Sequence, residues 1–318
     1  MAERFTLVMF EQYGAPAGGA IVRDKLIPLQ EGYSYFQRQT GAPALLDRSA
    51  PPTVLNLVRG YPESFDRVGA MADYAGGVME PFAREGLARD PASVRLLAPI
   101  TAPSKMLFAG ANYTDHVAEM RAPPVDKTKA KPYFFPKTNN CIIGPYDPIK
   151  LPPASRQVDW EIELAMVIGR RCKDVPRSLA REVIAGYTIM NDLSARDITP
   201  RKDVPFNVDW ISGKCIDGFA PMGPALVPSR FVPHPDNLWL RLSVNGQVMQ
   251  DSSTSKLIFG IDEQIEFLTK LMTLEAGDII STGTPAGVGH GRGIYLKAGD
   301  RVVVAIEGLG EQRNVVVE

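Results

Sequence analysis

The 318-residue sequence predicts an α+β protein dominated by β-structure, on three observations. Short segments rich in branched and aromatic residues, closed by Gly, Pro, Asn or Asp, recur through the last two-thirds: "CIIG", "WEIELAMVIG", "YTIMND", "LWLRLSVNG", "GDIISTGTP" and "DRVVVAIEGLG". Helical periodicity is confined to a few stretches that do not alternate regularly with these strands, which argues against a parallel doubly wound sheet. A proline-marked break in "LAPITAPSKMLFAG" divides the chain near residue 100. This predicts a small β-rich domain over residues 1–100 and a larger domain over 101–318.

Taken in order, residues 4 to 30 read as a few strands around the glycine-rich "GAPAGGA". Residues 61 to 88 read as helical, interrupted by "AGG" and Pro81. "PRSLAREVIAG" begins at Pro176 and ends at Gly186, which predicts a short helix. In "GIDEQIEFLTKLMTLEAGD", Ile261, Ile265, Leu268 and Met272 keep helical spacing and should cover a sheet.

Composition narrows the function. Apolar residues at 45% and charged residues at 22% are ordinary for a globular protein, and a net charge of -1 gives no pull toward nucleic acid or an anionic membrane. No apolar run reaches membrane-spanning length, and "MAERFTLVMF" does not read as a signal peptide. Cys141, Cys172 and Cys215 are odd in number and form no C-x-x-C pair, so a reducing, cytoplasmic setting is expected and the thiols read as small apolar residues. His116, His234 and His290 lie too far apart for a local zinc motif. Any metal should be held by oxygen, which favours magnesium or manganese and also admits calcium.

The stretch "VDWEIELAMVIG" sets carboxylates Asp159, Glu161 and Glu163 into an otherwise apolar strand. Strand geometry turns Glu161 and Glu163 to one face, where they repel unless a positive charge stands between them. "GYTIMNDLSARD" then ends a strand at Asp192, a third carboxylate, followed by Arg196. Three carboxylates leave about three positions open on an octahedral cation. They also leave the site near -1, so Arg196 and Lys214, with Lys137 behind them, are expected nearby. The plainer alternatives stay open on pattern alone: a half-exposed strand, Asp192 as a helix cap, Arg196 in a surface ion pair and Lys214 in a solvated loop.

These pieces together resemble the fumarylacetoacetate hydrolase family. The match runs from about Lys105 to the C-terminus through "GANYTDHVAEM", "DWEIELAMVIG", "GYTIMNDLSARD", "GKCIDGFAPMGP", "VNGQVMQ", "TLEAGDIISTGTPAGVG" and "LKAGDRVVVAIEGLG". The resemblance implies a β-sandwich roll with a metal site at its mouth. It implies Glu161, Glu163 and Asp192 as ligands of magnesium or manganese, Lys214 as a catalytic lysine, and a homodimer. The family's Ser and Phe after that lysine are here Cys215 and Ile216, departures that leave the charge in place. Likeness to the acylpyruvate hydrolase and oxaloacetate decarboxylase-like branch implies a catalytic His116 and Glu119 on a lid helix, with "RAPPVDKTKAKP" as lid loop. It also implies Arg196, Thr284 and Lys137 at the substrate. Thr199 stands where acylpyruvate hydrolases have glutamine, and Asp115 lies near a further ligand used by fumarylacetoacetate hydrolases proper.

The implied reaction is hydrolysis of a carbon–carbon bond in a 2,4-dioxo acid of acylpyruvate or fumarylpyruvate type, through a metal-stabilised pyruvate enolate. The same electron sink serves an oxaloacetate decarboxylase or tautomerase and a hydroxymuconate-type isomerase. A non-catalytic metabolite-binding protein is the reading from another class. The glycine-rich "GTPAGVGHGRG" is out of register for a nucleotide loop and reads as a tight turn whose amides approach an anion.

Overall fold

A computed structural model describes residues 2–47 and 50–318. Three strands open the chain as a meander, β1 (Phe5–Gln12), β2 (Ala15–Val22) and β3 (Lys25–Pro28). Four helices follow, α1 (Leu29–Thr40), α2 (Val54–Arg59), α3 (Glu63–Gly77) and α4 (Met79–Arg84), then the two-residue β4 (Leu96–Leu97). α3 and α4 lie inside the predicted 61–88 stretch. α1 was not expected; it buries Leu29, Gly32, Tyr33 and Phe36, spaced as one helical face.

The second part begins with β5 (Met106–Gly110), α5 (Thr114–Glu119), β6 (Tyr133–Lys137), β7 (Ile142–Ile143) and β8 (Ile149–Lys150). β9 (Val158–Asp159), β10 (Ile162–Ile168), β11 (Ile184–Asn191), β12 (Ser194–Ala195), α6 (Trp210–Lys214) and β13 (Ala220–Pro228) come next. The chain closes with β14 (Trp239–Val244), β15 (Gln247–Ser253), α7 (Ile261–Leu271), β16 (Ile279–Ser281), β17 (Arg301–Ile306) and β18 (Gly310–Val317). The helix expected in "PRSLAREVIAG" is instead a 3-10 segment, Arg177–Val183. β11 follows directly at Ile184.

The large sheet has the order β3-β2-β1-β13-β11-β10-β16-β5-β6, with β4 beside β1 and β7 beside β13. β1 is antiparallel to β13, so the first hundred residues extend the sheet of the rest. A second sheet, β15-β14-β17-β18-β8, packs across it. β10 is buried on both faces, which is why it reads as a nearly continuous apolar run. Its Ile162, Leu164 and Met166 meet Leu240, Leu242, Val302 and Val304 of the second sheet. Its Ala165 and Val167 face the helical layer that contains Leu57, Val68 and Met71. The architecture is α+β and mainly β, two packed sheets with α1–α4 on one face of the larger and α7 joining the core on its other face. No described helix is long and apolar enough to cross a membrane.

Candidate metal centre

The site grows from the N-terminal end of β10. Antiparallel pairing sets Ile162 opposite Asn191, and the Asp192 amide donates to the Glu161 carbonyl at 2.8 Å. The register therefore delivers Asp192 beside Glu161. The Asn191 side chain accepts from the Glu161 amide at 3.0 Å and holds that turn. Glu161, Glu163 and Asp192 are all buried and offer oxygens that lie within 4.8 Å of one another.

Cations surround this cluster as the charge count requires. Lys214, at the end of α6, donates to Glu161 at 2.8 Å and to Asp192 at 2.5 Å. Arg196 bridges Asp159 at 2.8 Å and Glu161 at 2.5 Å. Lys137, at the end of β6, donates to Asp192 at 2.7 Å and to the Leu193 and Phe219 carbonyls at 3.2 and 2.7 Å. Its three donors are thereby engaged behind Asp192. An aromatic stack supports both ammonium groups: Lys214 lies 5.1 Å from the Phe135 ring and Lys137 5.3 Å from Phe108, with Trp210 stacked on Phe135. None of those rings was picked out from sequence.

Protonation follows from this packing. Burial alone would raise Glu161, but the Lys214 and Arg196 charges outweigh it and hold the carboxyl well below its usual range. Burial, and after it the Asp192 and Glu161 charges, push Glu163 well above that range. Glu163 receives the Gly283 amide at 2.9 Å and has no paired cation among the described residues. A hard divalent cation fits this donor set, because it would supply the positive charge that Glu163 lacks.

His116 and Glu119 share α5, as expected from their spacing. His116 is buried, its Nδ1 lies 3.6 Å from Glu119 without a hydrogen-bond partner among the described residues, and the ring stands near enough to Glu161 to influence it. Glu119 accepts the Gly287 amide at 3.1 and 3.0 Å with its two oxygens. Burial would raise the Glu119 carboxyl, but His116 and that amide prevail and lower it.

The glycine-rich loop does approach anions, and they are the protein's own. Gly283 holds Glu163, Ala286 contacts Asp115 at 3.3 Å, Gly287 holds Glu119, and Gly289 and His290 donate to Asp159 at 2.6 and 3.0 Å. Gly283 and Gly287 adopt φ of 95° and 104°, and a Cβ on Gly287 would sit 2.1 Å from the Met249 carbonyl. Glycine is required for so close an approach. Asp159 is a residue whose part sequence reasoning missed: it joins Arg196 to this loop.

Other expected residues are placed less simply. Thr284 donates to the Ile162 carbonyl and accepts from Gln250, both at 2.9 Å. Asp115 is outside the acidic cluster, engaged by Ser252 at 2.8 Å and Lys256 at 2.9 Å. His290 is exposed beside Tyr295, and His234 is exposed too.

Comparison with known proteins places the chain among relatives. The chain is 45% identical over 226 residues to "Oxaloacetate tautomerase FAHD2A, mitochondrial" of Bos taurus, covering 70% of each chain. A 2-hydroxyhepta-2,4-diene-1,7-dioate isomerase from Mycobacterium marinum is 42% identical with a TM-score of 0.62, over 73% of this chain and 81% of that one. Maleylpyruvate hydrolase from Sphingobium sp. SYK-6, solved with manganese(II) and pyruvate, is 27% identical with a TM-score of 0.69 over 98% of both chains. Residues 105–317 match the family described as "Fumarylacetoacetate (FAA) hydrolase C-terminal", and the chain belongs to the fumarylacetoacetate hydrolase family of enzymes.

Proposed function

We propose that this protein is a metal-dependent enzyme that moves a proton at the carbon next to the carbonyl of a small 2-oxo acid, with keto–enol tautomerisation of an oxaloacetate-type diacid as its first reading. One observation carries it: a buried imidazole beside a carboxylate stands within electrostatic reach of Glu161, one of three convergent carboxylates. The oxaloacetate tautomerase relative supports the choice of diacid.

Glu161, Glu163 and Asp192 would hold magnesium or manganese. When bound, such an ion supplies Lewis-acid polarisation of the 2-oxo oxygen. Glu119 faces His116 Nδ1 at 3.6 Å and would orient the ring as substrate binds, which leaves Nε2 to take the proton from carbon 3 of the substrate and return one. Lys214 lends positive charge to the developing enolate oxygen. Arg196, whose Nε and Nη2 are held by Asp159 and Glu161, would offer its remaining Nη1 to the substrate carboxylate. Lys137 and Thr284 act behind them, positioning Asp192 and the Ile162 backbone. Where no water attacks, proton transfer is the net reaction.

A second reading is hydrolysis of an acylpyruvate, in which His116 takes its proton from water and water attacks the distal carbonyl. The maleylpyruvate hydrolase solved with manganese(II) and pyruvate favours it. Manganese-loaded protein offered oxaloacetate and acylpyruvates separates the two. Fast enol–keto exchange without pyruvate release from acylpyruvates supports tautomerisation, whereas pyruvate release supports hydrolysis. No acceleration over free manganese with either substrate refutes both and leaves the binding-protein reading. We also propose a homodimer, and a monomeric mass by light scattering would refute it.

A further inference from the structure

We propose that Cys141 and Cys215 form a redox-active dithiol that peroxide closes to a disulfide, and that this closure slows the enzyme by displacing Lys214. Two chain segments meet here. One runs from Lys137 to Cys141, the other from Lys214 to Cys215, so each lysine that grips Asp192 leads directly into a cysteine of the pair. The segments are tied together: Asn140 donates to the Cys215 carbonyl at 3.2 Å, and the Gly218 amide donates to the Asn140 carbonyl at 3.1 Å. The Cys141 thiol lies 3.7 Å from the Lys214 carbonyl and the Cys215 thiol 3.6 Å from the Pro136 carbonyl. With Asn140 tied to the Cys215 backbone and the Cys141 thiol on the carbonyl just before Cys215, the two cysteines are brought side by side.

Their roles differ. Cys141 is buried, whereas Cys215 is half-buried and within reach of a small oxidant. The neighbouring Cys141 thiol, aided by Thr138 and Lys137 against burial, brings the Cys215 thiol down to about 6. The neighbouring Cys215 and burial push Cys141 up. Cys215 is thus the nucleophile and Cys141 the resolving thiol. The Cys215 thiolate attacks hydrogen peroxide, forming an S–O bond and breaking O–O; the departing hydroxide takes a proton and leaves as water. Cys141 then attacks the sulfenic sulfur, forming S–S and breaking S–O; its proton leaves with the second hydroxide as water. Two thiols and one peroxide give one disulfide and two waters.

Cys172 belongs to the other core cluster and serves as internal control. The test treats full-length, manganese-loaded protein with hydrogen peroxide and maps thiols by peptide mass. The expected result is a Cys141–Cys215 cross-linked peptide, with Cys172 unmodified. C141S should stop at a Cys215 sulfenic acid that dimedone traps. In parallel, turnover should fall about tenfold or more, as small misplacements of reacting groups do, and return with dithiothreitol. C215S should keep basal turnover and ignore peroxide. Absence of the cross-link, or equal oxidation of Cys172, overturns the dithiol. A cross-link with unchanged turnover, or peroxide-sensitive C215S, overturns the regulatory half. The regulatory half rests on the role proposed for Lys214, but the mass map does not, so the two can fail separately.

Discussion

Replacing Lys214 by methionine keeps most of the side-chain volume and removes the charge. The ammonium group bridges Glu161 and Asp192 from a side chain that is 3% exposed. Without it, Asp192 keeps Lys137 and Glu161 keeps Arg196, but each loses its shared central partner. Removing one member of a buried ion pair costs about 3–5 kcal/mol, because the remaining charge stays desolvated. Unfolding entropy of about 2.1 cal/mol/K per residue makes each kcal/mol worth roughly 1.5 °C in a chain of this length. On that scale, K214M in EDTA should melt about 4–8 °C below wild type. A divalent cation restores positive charge among the same carboxylates, so the variant should gain more from metal than wild type does. Thermal unfolding of both proteins at mildly alkaline pH, in EDTA and in excess manganese, measures the difference. An equal deficit in both conditions, or none in EDTA, would refute the electrostatic reading.

The remaining predictions concern the metal and the base. Glu161→Ala should weaken manganese binding by more than the roughly 10–100-fold that loss of a supporting contact costs, with activity lost in parallel; calorimetry showing unchanged affinity would remove Glu161 from the ligand set. His116→Ala should bind manganese normally yet lose about 10²–10⁴-fold in turnover, and an unimpaired rate would exclude His116 as the base. Because Glu163 is raised in the metal-free fold, it keeps a proton where the unfolded chain has lost one. Its contribution to stability is therefore present at low pH and is lost as pH rises toward its folded value. Manganese must displace that proton, so binding should tighten with pH and show heats that depend on the ionisation enthalpy of the buffer. Buffer-independent heats would count against the protonated Glu163.

Much of the site could be read from spacing because strands and helices impose simple periods. Glu161 and Glu163 are two apart on an extended segment, and His116 and Glu119 are three apart on a helix, so each pair had to share a side. Ordered motifs then brought Asp192 and Lys214 into the same reading. Other features rest on contacts between segments far apart in sequence. The carboxylates of Asp159 and Glu163 meet the loop amides across 130 and 120 residues. Nothing in the local pattern of Phe108, Phe135 and Trp210 signals a stack beneath two lysines. Lys137 read as a reserve cation for the substrate, whereas burial and three acceptors keep it on Asp192.

The sequence by itself determined the strand-rich class, the acidic trio, the histidine–glutamate pair and the family, because backbone periodicity and ordered motifs are local properties of the chain. Folding settles which cation pairs with which carboxylate, and that Glu163 has no paired cation among the described residues. It alone decided that Asp115 turns away to Ser252 and Lys256, and that Cys141 meets Cys215. The physical reason is that pairing and protonation depend on distance and desolvation, which folding sets between residues that the sequence keeps far apart.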